Sequence, residues 1–128
     1  MSTAVNKIAN VIIPVADQGR AVEFYTRKLG LKKRLELSFG PGFRWIEVAP
    51  VDAVTSIALC PPGPGVTAGG KQTGISLQTD DADAYHAELE ARGVDVDAQI
   101  GRFGEGVSPT FWLRDHEGNV LQVTEAVV

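Results

Sequence analysis

The stretch Ile8-Ala-Asn-Val-Ile-Ile-Pro-Val15, followed by Asp17 and a helical segment ending Lys28-Leu-Gly30-Leu31, decides the fold because the chain repeats it. The second copy runs Gly74-Ile-Ser-Leu-Gln-Thr79, then Asp80-Asp81, then a helical segment ending Ala91-Arg-Gly93-Val94. Two copies at so long a period do not make a solenoid, which needs more and shorter repeats. They fit two copies of one strand–helix–strands module. Asp17 is placed to cap a helix over about 18–29, and Asp81 a second over about 82–92. Ala21, Phe24, Tyr25 and Leu29 give the first helix an apolar face; Ala84, Tyr85 and Leu89 give the second a weaker one. Gly30 and Gly93 supply the left-handed residue that commonly ends a helix.

Period-two alternation marks the strands. Segments 34–39, 44–48 and 55–60 follow the first helix. Segments 94–98, 110–114 and 120–124 follow the second. Asp115-His-Glu-Gly-Asn119 reads as the hairpin turn joining the last two, with Gly118-Asn119 at positive φ. The Pro/Gly-rich stretch from Pro61 to Gly70 separates the copies. The expected organisation is one domain over 1–128, built of modules 7–61 and 72–126.

Composition narrows the function. The chain has 128 residues, 44% hydrophobic and 22% charged, with a net charge of −4. An acidic chain without a basic stripe points away from nucleic acid. No apolar run reaches membrane-spanning length. Residues 1–7 are polar and lead into no signal-peptide core, so a cytoplasmic protein with no membrane partner is expected. A single cysteine, Cys60, excludes an intrachain disulfide and reads as a small core or cavity residue. The glycine-rich Gly101-Arg-Phe-Gly-Glu-Gly106 precedes no helix, so it reads as a mobile loop rather than a phosphate cradle.

The order and spacing of three signatures resemble the vicinal oxygen chelate superfamily, which includes glyoxalase I, extradiol dioxygenases and bleomycin-resistance proteins. Asn10-Val-Ile-Ile-Pro-Val-Ala-Asp17 is similar to its first strand. Phe24-Tyr25 with Leu29-Gly30 is similar to its helix. Asp115-His-Glu-Gly-Asn-Val-Leu-Gln122 is similar to its closing hairpin. The resemblance implies an α+β fold in which two βαβββ modules form curved mixed sheets around a cleft, helices outside. It also implies a homodimer. One phase of each strand would then pack under the helices, and the other would face the ligand.

That second phase holds the candidate ligand-binding residues: Asn10, Trp45, Glu47, Gln78, Trp112, Arg114 and Gln122. Trp45 and Trp112 read either as core or as ligand platforms. Glu47, the one carboxylate of the phase, could be a lone general base, a structural salt bridge, or a partner for Arg114 or a cationic ligand. At the positions where metal-dependent members of that superfamily place His and Glu ligands, this chain has Asn10, Ala58, Gly74 and Gln122. Two lack a donor and two are neutral amides, which suits no transition metal. His86, mid-helix, and His116, in the hairpin turn, read as solvated. The expected function is therefore metal-free and cofactor-free binding of a small organic molecule, aromatic or antibiotic-like. The alternatives are a glyoxalase I-like lyase, an extradiol-dioxygenase-like metalloenzyme, or a metal-free enzyme using Glu47 as base. Elemental analysis of gently purified protein should find well below one Zn, Ni or Fe per chain; one equivalent whose removal abolishes an activity would refute the ligand mapping.

Overall fold

The computed structural model describes residues 3–127. They fall into two compact units, divided between Ala68 and Gly69 within the Pro/Gly-rich connection. The first unit contains β1 (Asn10–Pro14), α1 (Gln18–Glu23) with a π-helical turn over Phe24–Lys28, then β2 (Lys32–Ser38), β3 (Arg44–Ala49) and β4 (Ser56–Cys60). The second contains β5 (Gln72–Thr79), α2 (Ala82–Ala91), β6 (Asp95–Val96), β7 (Thr110–Arg114) and β8 (Val120–Glu125). Each unit is a four-stranded mixed sheet, ordered β1-β4-β3-β2 in the first and β5-β8-β7-β6 in the second. The first strand pairs in parallel with the last, and the others are antiparallel. The fold is α+β, as expected. Among the described residues no helix is long and apolar enough to cross a membrane.

The helix boundaries follow from local chemistry. The Asp17 carboxylate accepts from Arg20 N at 3.0 Å, and that of Asp81 from Ala84 N at 3.0 Å. Both satisfy amides that a helix start leaves without partners. Gly30 at φ 88° and Gly93 at φ 78° turn the chain out of each helix. The first helix is not α-helical throughout. Leu29 N donates to Phe24 O at 3.2 Å, five residues back. Thr26 Oγ1 donates to Val22 O at 2.6 Å, competing for the carbonyl that the Thr26 amide would take in an α-helix. A widened turn is a reasonable outcome of that competition.

Buried Ala21, Tyr25 and Leu29 form the stripe of the first helix, which lies against β3 and β4. Ile13, Ile46, Val48, Ile57 and Leu59 are buried strand residues of the same unit. In the second unit Phe111, Leu113, Leu121 and Val123 are buried, and α2 lies against β6 and β8. The α2 stripe differs from expectation. Ala84 is exposed, whereas Ala82, His86 and Leu89 are buried. His86 is therefore not solvated. Its Nε2 meets the Asp97 carbonyl at 2.6 Å, and its ring stands edge-on to Phe111 with centroids 4.9 Å apart. An imidazole that places a ring nitrogen on a backbone acceptor can sit in an apolar stripe. The strand expected at 94–98 shortens to Asp95–Val96, prolonged by one bond from Asp97 N to Trp112 O.

The hairpin between β7 and β8 is held by side chains. The buried Asp115 carboxylate accepts from the amides of Glu117 and Asn119 and from Asn119 Nδ2, at 2.8, 2.9 and 3.0 Å. Asn119 Oδ1 in turn accepts from Lys71 N at 3.1 Å, tying the turn to the start of β5. Gly118 has φ 79°, but Asn119 does not share the positive φ expected of it; it contributes through its amide. His116 in this turn is also withdrawn from solvent, with Nε2 3.2 Å from Glu117 Oε2. Asn119→Ala would remove the hydrogen bonds that Asn119 makes to the Lys71 amide and to an Asp115 oxygen. Each buried hydrogen bond lost so costs about 1–3 kcal/mol, so a destabilisation of about 2–4 kcal/mol in urea unfolding is expected. A loss below about 0.5 kcal/mol would show the clamp to be dispensable.

Candidate functional site

Strand pairing fixes which side chains share a face, because cross-strand partners point the same way. In the first sheet Asn10 lies opposite Ser56. Ile12 lies opposite Ala58, Ala58 opposite Glu47, and Glu47 opposite Leu35. Trp45 lies opposite Leu37. Asn10, Trp45 and Glu47 thus share the face away from α1, the phase read from the sequence. That face is open in parts: Ile12, Leu37 and Leu35 are 54%, 46% and 38% exposed.

Glu47 organises this face. Ser56 Oγ donates to Oε1 in a short hydrogen bond, and Trp45 Nε1 donates to Oε2 at 2.7 Å. The Ser56 hydroxyl first, and the Trp45 indole second, hold the Glu47 carboxyl below the usual carboxylate range against the opposing effect of partial burial. A carboxylate with both oxygens accepting and its proton affinity lowered is a weak general base. It suits orienting Trp45 and presenting negative charge.

In the second sheet Ser76 lies opposite Gln122 and Gln122 opposite Trp112, while Gln78 lies opposite Thr124. Ser76 Oγ donates to Gln122 Oε1 at 3.1 Å. Trp112 is half-buried, and among the described residues its indole N–H meets no protein acceptor, unlike that of Trp45. Gln78 is exposed. Arg114 is engaged within its own sheet. Its Nη1 donates to Asp97 at 2.8 Å and its Nη2 to Asp95 at 3.0 Å. Asp95 and then Asp97 raise the guanidinium's already high proton affinity further. The pairing of β6 with β7 brings these carboxylates to it, a register not legible in either strand alone.

A groove of about 630 Å³ opens at the start of α1, lined by Asp17, Gln18, Arg44 and the Gly40-Pro41-Gly42 turn among others. None of the candidate residues lines it. Its polar groups already have partners: Gln18 Nε2 donates to Arg44 O and Leu59 O, and Arg44 pairs with Glu36 at 3.0 Å. Buried Gln18 is a structural tie that the sequence did not disclose. The open sheet faces, with their tryptophans and spare acceptors, are the better candidate site. Cys60 is buried, which pushes its thiol pKa up and leaves it unreactive.

Two βαβββ units, each with its helix on one sheet face and the other face open, define a known class of protein. The model of the Glyoxalase/Bleomycin resistance protein/Dioxygenase superfamily matches residues 7–123, and the chain belongs to that superfamily. It is 32% identical to TnmS3, an antibiotic binding protein from Streptomyces sp. CB03234, with a TM-score of 0.84 over 98% of this chain and 100% of that one. It is 32% identical to a superfamily member from Sphaerobacter thermophilus DSM 20745, with a TM-score of 0.87 over 95% of this chain and 98% of that one. YetH of Bacillus subtilis (strain 168) is 26% identical over 121 residues, 94% of this chain and 99% of its own length.

The residues present do not fit the metal of the superfamily's enzymes. Among the described residues no three His, Cys, Asp or Glu side chains gather as a metal site would require. In the first sheet the positions that the sequence reading matches to metal ligands hold the Asn10 amide and the Ala58 methyl. In the second, Gly74 stands at φ 71° beside a break in the β5–β8 register, a conformation that strains any side chain. Gln122 offers a neutral oxygen already accepting from Ser76.

The lowered Glu47 pKa has a sign that can be tested. A carboxyl more acidic when folded adds stability above its unfolded pKa, and loses that contribution as pH falls through the folded value. In a Trp112→Phe background, Trp45 emission should titrate with a midpoint below that of an ordinary glutamate. Ser56→Ala should move the midpoint up. A midpoint at or above the ordinary value, unmoved by Ser56→Ala, would refute the hydrogen-bond pattern.

Proposed function

We propose that this protein is a metal-free binding protein that captures a small, planar organic molecule, aromatic or antibiotic-like, on the open faces of its sheets. The observation that carries the reading is the state of the polar groups there. Glu47, Ser56, Ser76 and Gln122 engage one another or a tryptophan in pairs that orient side chains. The Ser56 hydroxyl meets a carboxylate whose oxygens are both accepting and whose proton affinity is lowered, and none of these groups forms a metal-ligand set. Faces so built can stack and orient a ligand, which is what stoichiometric capture requires. The likeness to an antibiotic binding protein over nearly the whole chain supports the same reading.

Trp112 is the stacking residue with a donor to spare, so it both packs against an aromatic ring and can hydrogen-bond its substituents. Asn10, Gln78 and the unused amide hydrogens of Gln122 are the remaining orienting groups. Arg114 is held in place by Asp95 and Asp97, which together outweigh its charge. The protein is proposed to work as a cytoplasmic homodimer, on the strength of its family. The lyase and dioxygenase readings need a ligand set that these residues do not supply, and the hydrogen bonds from Ser56 and Trp45 weaken Glu47 as a base.

Base-like stacking on an aromatic side chain is worth about 1–3 kcal/mol. Trp112→Ala should therefore weaken binding of a planar ligand by about tenfold to a hundredfold, measured by fluorescence titration against a panel of planar antibiotics. It should cost less stability than truncating core Tyr25. Unfolding of Trp112→Ala with unchanged affinity in Trp112→Phe would mark this tryptophan as structural.

A further inference from the structure

We infer that the molecule held on the first sheet carries a protonated amine beside its planar aromatic body, and that Glu47 is the group that reads it. This rests on the reading above that the face holds a small organic ligand. The inference starts from a charge without a counter-ion. Half-buried Glu47 is ionised by neutral donors, Ser56 and Trp45, and among the described residues it forms no ion pair. Several other carboxylates meet cations directly: Glu36 with Lys33 and Arg44, Asp83 with Arg102, and Asp95 and Asp97 with Arg114. Arg34 and Lys7 act on Glu47 only from a distance, and the Arg34 guanidinium donates instead to the Ala53 carbonyl.

The surroundings sharpen the point. Across the strands Glu47 is flanked by Ala58 and Leu35, with Ile12 beyond Ala58. A negative charge among apolar side chains is poorly screened, and a cation placed there gains more than it would in water. Each Glu47 oxygen accepts one hydrogen bond, and a carboxylate offers about four lone-pair sites. An ammonium group can fill those left over. The same carboxylate fixes the Trp45 indole, whose ring attracts a nearby cation and stacks on an aromatic body. Two residues away, at the β2–β3 turn, exposed Phe39 and Phe43 form an edge-to-face pair with centroids 5.8 Å apart. Aromatic surface thus continues past Trp45. Anionic ligands are repelled by the same charge, and a neutral isostere leaves it without a counter-ion.

Calorimetric titration with three matched probes tests this: 9-(aminomethyl)anthracene, its N-acetyl amide, and anthracene-9-carboxylate. The protein should bind the amine about tenfold more tightly than the amide, and the carboxylate most weakly. In Glu47→Gln the preference for the amine over the amide should disappear. Leu35→Lys, which sets a cation opposite Glu47 on an exposed edge strand, should remove the preference without touching the carboxylate, and so covers the case that Glu47→Gln folds poorly. Equal affinity of the native protein for amine and amide overturns the inference and leaves the binding reading standing. Binding of none of the three overturns both. A preference for the amine that survives in both variants assigns it to another group and overturns the role of Glu47.

Discussion

A parallel strand pair cannot be closed by a hairpin, and this constraint shapes both units. Pairing β1 with β4 in parallel, and β5 with β8, leaves the strand after each helix at the far edge of its sheet. The chain must therefore cross the sheet between the first two strands, and the crossing is made by the helix. A helix lying across one face buries that face and no other. The opposite face is left for something else, and in this chain it carries the tryptophans and the hydrogen-bonded polar groups. Core and candidate site are thus two phases of the same strands.

Much of this was legible because the signals were local. Asp17, Asp81, Gly30 and Gly93 act through their own backbone neighbourhood, and each does what its residue type suggests. The strand over Thr110–Arg114 shows because Phe111 and Leu113 alternate with Trp112 without interruption. The π-helical turn was hidden because an apolar face at helical spacing looks the same whether one carbonyl is taken by an amide or by the Thr26 hydroxyl. His86 was misplaced because its solvation depends on the Asp97 carbonyl and Phe111, both distant in sequence.

The site divides the same way. That Trp45 and Glu47 share a face follows from their spacing of two. That Ser56 reaches Glu47 depends on how β3 and β4 pair, which no single strand discloses. The same applies to Arg114, whose partners arrive on a two-residue strand too short to register as a pattern. The family motif Asp115–Asn119 reads in the sequence as a turn and in the structure as a buried clamp, so its presence speaks to the fold rather than to ligand chemistry. The superfamily hosts enzymes as well as binding proteins, and a shared fold does not choose between them. The proposal of a binding protein rests on side chains: a glycine at positive φ, an alanine and two amides at the positions that the sequence reading matches to the metal ligands of the family's enzymes.

The central claim is that ligands bind on the sheet faces turned away from the helices. Backbone and indole chemical-shift mapping by NMR, with 9-(aminomethyl)anthracene added to the isotope-labelled protein, tests it most directly. The account predicts the largest shifts at Trp45, Glu47 and Ser56, with α1 little affected. Shifts confined to the groove at Asp17–Gly19 and Gly40–Arg44, with both indoles unmoved, would contradict it.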